Sequence, residues 1–225
     1  MNILALEAAT ESCSVALLRG ERIYRRSQVA PREHAVLLLP MVQALLDEAG
    51  VQKRELNAIS FGRGPGSFTG VRIATGVAQG LAYALDLPVL PISTLAALAQ
   101  GAWREQGARK VAAAIDARMG EVYWGGYELQ DTVMRLAGDE GVYPPEQVPV
   151  PERAADCFGY GSGWQTYAET LEKRSGIARH LGERFPQAED LLPLALADWH
   201  AGKAIAAAQA QPVYLRDRVT HQRKS

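Results

Sequence analysis

The sequence predicts an α/β fold built from two lobes. Three observations predict it. The first half runs as three strands followed by alternating helices and strands. The second half begins again with an apolar strand, a tight turn and another strand. A glycine-rich strand-to-helix junction occurs once in each half.

The first half supplies its elements in order. "NILALEAA" is a short apolar run with Glu7 near its end. "SCSVALLRG" and "ERIYRRSQV" meet at Gly20-Glu21, the spacing of a hairpin. From Arg32 to Ala49, Val36, Leu38, Leu39, Val42, Leu45 and Leu46 recur at helical spacing, and Gly50 is a natural stop. Pro40 lies inside this helix and removes one backbone bond, so a kink is expected there. "LNAISFG" reads as a buried strand. Ser67 then caps a helix that runs to about Leu85. "LPVLPIS" is another strand, and Thr94 to about Gln106 another helix. The order β-β-β-α-β-α-β-α is that of a ribonuclease-H-like lobe.

In the second half, "KVAAAIDARMGEVYWGGYEL" gives a strand, a turn at Asp116–Gly120 and a second strand. "CFGYGSGW" (157–164) echoes "SFGRGPGSF" (60–68), with Gly159, Gly161 and Gly163 matching Gly62, Gly64 and Gly66. Order and motif together suggest an internal duplication. The expected lobes are residues 1–106 and 107–225, divided near Gly107. A C-terminal helix is expected from about Gln187 to Gln209, with Pro193 inside it.

Composition narrows the function. The chain has 225 residues, 48% of them hydrophobic and 22% charged, which suits a soluble globular protein. A net charge of −1 gives no global attraction for nucleic acid or anionic membrane. Cys13 and Cys157 make no disulfide framework. "MNILALEAAT" has no basic segment before its apolar run and is not a signal peptide. A cytoplasmic protein without a membrane span is expected.

The junction "SFGRGPGSFTG" (60–70) has two readings. It could hold an anion on free helix N–H groups, or it could let two backbones pack closely. It lacks the lysine of a P-loop, and Ser67 replaces the third glycine of a dinucleotide fingerprint. The helix that follows carries two stripes of small residues. Gly66, Gly70, Ala74, Ala78 and Ala82 form one; Gly76, Gly80 and Ala84 form the other. A glycine inside a helix costs about 1 kcal/mol relative to alanine, so close approach of another backbone is expected. That backbone could be the chain's own sheet or a partner helix, and one stripe could serve each.

Catalytic motifs are scarce. His34, His180, His200 and His221 form no H-x-x-x-H or H-E-x-x-H pair, which argues against a metal site and a metalloprotease. His34 reads as a capping or surface residue. No G-x-S-x-G occurs. Glu7 and Asp116 each end an apolar strand. Together with Thr10 they could face a cleft and hold a hydrated Mg²⁺ with nucleotide, weakly. No cofactor is otherwise expected. The tail "RDRVTHQRKS" carries four Arg/Lys against one Asp and reads as a solvated terminus that could meet RNA phosphates.

"ILALEAATESCSVAL", "REHAVLLLP", "GRGPGSFTGVRIATGVAQGLA", "DARMGEVYWGGY" and "PVYLR" together resemble the TsaB family, also called YeaZ. The resemblance spans residues 3 to 215. It implies an actin/Hsp70-like, two-lobed fold and a non-catalytic protein that supports a catalytic paralogue, TsaD. That paralogue transfers a threonylcarbamoyl group to the tRNA adenosine beside the anticodon and binds a metal through H-x-x-x-H. Here Thr94 and Leu98 stand at the comparable place, after "LPVLPIS". Glu7 stands where that family usually has Asp. The resemblance also implies a four-helix interface with TsaD, or with a second copy of this chain, made by the two N-terminal helices. Leu38, Val42 and Leu45 on one and Gly70, Ala74 and Ala78 on the other are expected to line it. The ATPase TsaE is expected to join the pair, and tRNA to be met indirectly. The alternative is a nucleotide-dependent transferase or ATPase that itself uses Glu7 and Asp116.

Overall fold

A computed structural model describes residues 1–216. The basic tail lies almost wholly outside the described residues, as does His221. The chain forms two mixed sheets flanked by helices, an α/β architecture of two lobes.

The first sheet contains β1 (Asn2–Glu7), β2 (Ser12–Arg19), β3 (Arg22–Val29), β4 (Ala58–Gly62) and β5 (Val89–Ile92), in the spatial order β3-β2-β1-β4-β5. The meander β1-β2-β3 is antiparallel, while β4 and β5 join it in parallel. The second sheet contains β6 (Lys110–Arg118), β7 (Glu121–Gln130), β8 (Val133–Leu136), β10 (Phe158–Tyr160) and β11 (His180–Leu181), in the order β8-β7-β6-β10-β11. β9 (Gly141–Tyr143) pairs with β7 beside them. Again the meander is antiparallel and the last two strands are parallel. The two sheets therefore share order and sense, which is the duplication that the repeated glycine motif predicts.

Five helices cover the sheets: α1 (His34–Ala49), α2 (Phe68–Leu85), α3 (Thr94–Gln106), α4 (Ser162–Ser175) and α5 (Ala188–His200). Local chemistry sets their ends. Gly50 and Gly107 stop α1 and α3 in the left-handed region. The Ser67 hydroxyl accepts from the Gly70 N–H to start α2, and the Ser93 hydroxyl accepts from Leu95 and Ala96 to start α3. α1 runs undivided through Pro40, which lies on its exposed side. α5 ends at His200, nine residues short of the expected Gln209. Gly202, at φ 70°, turns the chain, and Ile205 then pairs with Val89 at the edge of the first sheet.

The first sheet uses residues 2–92 and the second uses residues 110–181, but the helices are exchanged. Leu95, Leu98, Ala99 and Ala102 of α3 pack with Val111, Ala113, Tyr127 and Tyr160 of the second sheet. Leu191, Leu192 and Ala195 of α5 return to pack on Ile3, Ala5, Leu90 and Ile92 of the first. Each half of the chain thus finishes the other's core.

The loop between β4 and α2 is the tightest junction. A Cβ on Gly66 would lie 2.4 Å from the Ala9 carbonyl oxygen, and one on Gly70 would lie 2.0 Å from that of Ala8. The Ser67 N–H donates to Ala9 O, and the Thr94 N–H donates to Gly64 O. The loop is filled by its own chain, so close packing is the reading that holds. Gly76 and Gly80 differ: nothing lies within 4 Å of a Cβ at either position.

These glycines give opposite expectations. Gly70→Ala should destabilise the fold by at least about 2 kcal/mol, because backbone must move. Gly76→Ala should stabilise it by about 0.5–1 kcal/mol through helix propensity alone. Urea unfolding of both variants checks the pair.

Candidate functional site

Two regions bear on the expected site residues: the helix pair α1 and α2, and the seam between the sheets. α1 and α2 pack side by side on one face of the first sheet, over a shared core that includes Leu6, Val15, Leu38, Val42, Leu45, Ala78 and Ala82.

All six expected interface residues are in the interior. Leu38 and Leu45 are fully buried and Val42 nearly so, among their own sheet's residues. Ala74 and Ala78 are fully buried, and Gly70 lies against Ala8. A helix that rests on a sheet must turn its smallest or most apolar stripe inward, so this stripe is not the outer surface. The expectation is corrected accordingly. The outward stripe is the second one, Gly76, Gly80 and Ala84, and all three residues are exposed. Beside it stand Tyr83, 81% exposed, and on α1 Val36, 68% exposed, and Leu39, 48% exposed. Phe68 stands at the start of α2, with the Arg72 guanidinium over its ring and Tyr214 beside it. The spacing by four in the sequence found both stripes. It could not say which one faced inward, because the two are equally small.

The cleft holds Glu7. Its carboxyl is fully buried, with Oε1 accepting from the Ala9 N–H at 2.7 Å. Gly62 makes the room: a Cβ there would lie 1.9 Å from Oε2. Burial pushes the carboxyl up from 4.5 to about 7, against the opposing pull of the Ala9 and Ala8 N–H groups. Glu7 Oε2, Thr10 Oγ1 and Thr94 Oγ1 are buried without hydrogen-bond partners among the described residues.

Asp116 lies elsewhere. Its carboxylate accepts from the Arg118 N–H at 2.8 Å and from the Arg118 guanidinium at 2.9 Å. The duplication explains the separation. Gly66 presses on Ala9 as Gly163 presses on Ala114. By that register Glu7 corresponds to Ala112, and Asp116 corresponds to Glu11. Arg118 in fact bridges Asp116 and Glu11, at 2.9 and 2.7 Å. Glu7 is enclosed and pushed toward neutrality, Asp116 is neutralised by arginine, and the two share no partner. This pair does not fit a hydrated Mg²⁺. His34, expected as a cap or surface residue, is buried with Nε2 unpartnered among the described residues. No group of three or more metal-ligating side chains occurs among the described residues, and no helix there is long and apolar enough to cross a membrane.

Residues 23–224 match the family model described as TsaD, tRNA N6-adenosine threonylcarbamoyltransferase. The tRNA threonylcarbamoyladenosine biosynthesis protein TsaB of Escherichia coli is 46% identical over 97% of this chain and 96% of its own length. The chain belongs to the TsaB family. A second TsaB, from Haemophilus influenzae, is 41% identical over 98% of this chain and 95% of its own. A solved structure of YeaZ from Pseudomonas aeruginosa is 58% identical, with a TM-score of 0.91, over 95% of this chain and 99% of that one. Membership in this family agrees with the name that the glycine loop and helix suggest.

The buried Glu7 makes stability fall with pH. Between 4.5 and about 7 the folded chain holds a proton that the unfolded chain releases. Stability contributed by the neutral carboxyl is therefore lost as pH rises through 7. Glu7→Gln should gain on wild type by on the order of 2–3 kcal/mol between pH 5 and pH 8. Urea unfolding across that range measures the difference.

Proposed function

We propose that this chain is a non-catalytic subunit that binds a TsaD-type transferase and supports it, together with a TsaE-type ATPase, in threonylcarbamoyl transfer to the tRNA adenosine beside the anticodon. Contact with tRNA is indirect, through the complex. The observation that carries the reading is the outer face of α1 and α2. Two glycines in mid-helix, Gly76 and Gly80, have no neighbour of their own chain to explain them. Each gives up helix propensity. Exposed Tyr83, Val36 and Leu39 beside them offer apolar area, and the missing Cβ atoms let a partner backbone come close.

A helix pair on the partner fits such a face, making a four-helix contact. A second copy of this chain presents the same face and is the natural occupant when the transferase is absent. Binding there would act on catalysis indirectly, by favouring one arrangement of the transferase's lobes. The non-catalytic part of the reading is supported by the cleft. Thr94 and Leu98, at the place of the paralogue's metal-binding pair, are buried and carry no imidazole. The second reading, a Mg²⁺-dependent transferase or ATPase using Glu7, Thr10 and Asp116, meets an enclosed Glu7 and an arginine-bound Asp116.

Gly80→Leu should lower affinity for the TsaD-type partner more than tenfold while leaving the monomer folded, since its side chain meets only solvent in the isolated chain. Isothermal titration checks this, with circular dichroism as the control for folding. Normal affinity in the folded variant would remove this face from the account.

A further inference from the structure

A second cluster in the cleft is explained by neither the fold nor the partner face. Glu140 lies in the exposed segment 137–140 between β8 and β9, yet its side chain is only 9% exposed. It reaches into the seam between the lobes. One oxygen, Oε1, accepts from both the Ser93 hydroxyl and the Tyr127 hydroxyl. The other, Oε2, stands 4.0 Å from the Arg63 guanidinium.

The donors are fixed before Glu140 arrives. Ser93 caps α3, and its oxygen takes the Leu95 and Ala96 N–H groups at 3.2 and 3.3 Å. With its lone pairs used, its single hydrogen points away from the helix, toward Glu140. Tyr127 is 2% exposed, and Gly125 leaves space for its ring, where a Cβ would lie 2.9 Å from Cε2. The two hydroxyl oxygens are 3.5 Å apart, so their hydrogens converge on one point. Arg63 follows β4 and adds a positive charge on the same side. Convergent hydroxyl hydrogens and a guanidinium 4.0 Å away form a receptor for an oxyanion. Without Glu140 the two hydroxyls keep only their long mutual contact of 3.5 Å, which leaves one buried hydroxyl hydrogen without an acceptor.

The occupant is less fixed than the receptor. Ala137, Gly138 and Asp139 are exposed, and nothing lies within 4 Å of a Cβ at Gly138. Lifting the segment breaks the Ala137 N–H bond to Gly126 O but no core contact.

We propose that Arg63, Ser93 and Tyr127 form an oxyanion site at the lobe interface, that the Glu140 carboxylate is its resident ligand, and that a free carboxylate or phosphate takes its place when the 137–140 segment withdraws. Arg63 and Ser93 are attached to the first sheet's strands, and Tyr127 and Glu140 to the second. Occupancy of the site therefore ties the two lobes together.

Chemical rescue tests this. Glu140→Gly should lower Tm by several degrees. Formate, acetate or phosphate should then restore part of the loss with a saturable dependence, about 3–6 °C at ten times Kd. Wild type should show the same saturable shift only at ligand concentrations at least tenfold higher, because the anion must first displace Glu140. Formate and acetate against phosphate separates the two sources of the oxyanion. Ser93→Ala with Tyr127→Phe in the Glu140→Gly background should abolish the saturable part. If Glu140→Gly does not fold, Glu140→Ala gives the same reading by saturation-transfer NMR of the formate proton: strong transfer in the variant and at least tenfold weaker transfer in wild type. Equal responses in wild type and variant, or no saturable response in either variant, would overturn the proposal.

Discussion

The close approach of the β4–α2 loop to the end of β1 sets most of this molecule. Gly66 and Gly70 bring the loop onto the backbone of Ala8 and Ala9, at separations no Cβ could share. That contact fixes where α2 starts and how it is rotated. With Gly70 inward, Ala74, Ala78 and Ala82 must follow on the same stripe, one turn after another. The second stripe, Gly76, Gly80 and Ala84, is thereby turned out to solvent. Gly62, one strand position earlier, makes room for the Glu7 carboxyl and seals it. A loop that looks like a phosphate cradle thus organises a surface and closes a cleft.

The duplication gives the second half the same frame with different contents. Gly161 takes φ 114° where Gly64 takes φ 102°, and Gly163 meets Ala114 as Gly66 meets Ala9. Where Gly62 faces a carboxyl, Gly159 faces the Trp164 ring, whose Nε1 donates to Ala112 O. The first lobe keeps a buried acid at this place, and the second fills it with an aromatic core. α3 and α5 then cross between the lobes, and polar contacts such as Arg118 with Glu11 fasten the seam. The result is two sheets that share one packing scheme and hold one another in place.

Much of this is legible in the residues. Strand order through α3 follows from apolar runs and their punctuation by Gly20, Gly50 and Ser67. The repeated Gly-x-Gly-x-Gly gives the duplication. Sequence spacing falls short where a choice depends on tertiary contact. It finds two small-residue stripes on α2 but not their orientation, so Gly70, Ala74 and Ala78 read as surface when they are core, and so do Leu38, Val42 and Leu45 of α1, which the family resemblance placed at the interface beside them. It pairs Glu7 with Asp116 because each ends an apolar run, whereas the strand register sets them four residues out of step. The two-residue β11 carries too little pattern to be seen. Glu140 offers no signal at all: it is one acid in a polar loop, and only the fold brings it to Ser93 and Tyr127.

The central claim is that the outward face of α1 and α2 exists to bind another chain of the same architecture. Light scattering of this protein alone, and mixed with the TsaD-type protein of the same source, tests it most directly. The account predicts a new species at the summed mass of the two chains, formed at the expense of any homodimer. Independent elution of the two proteins across a range of salt and nucleotide concentrations would contradict it.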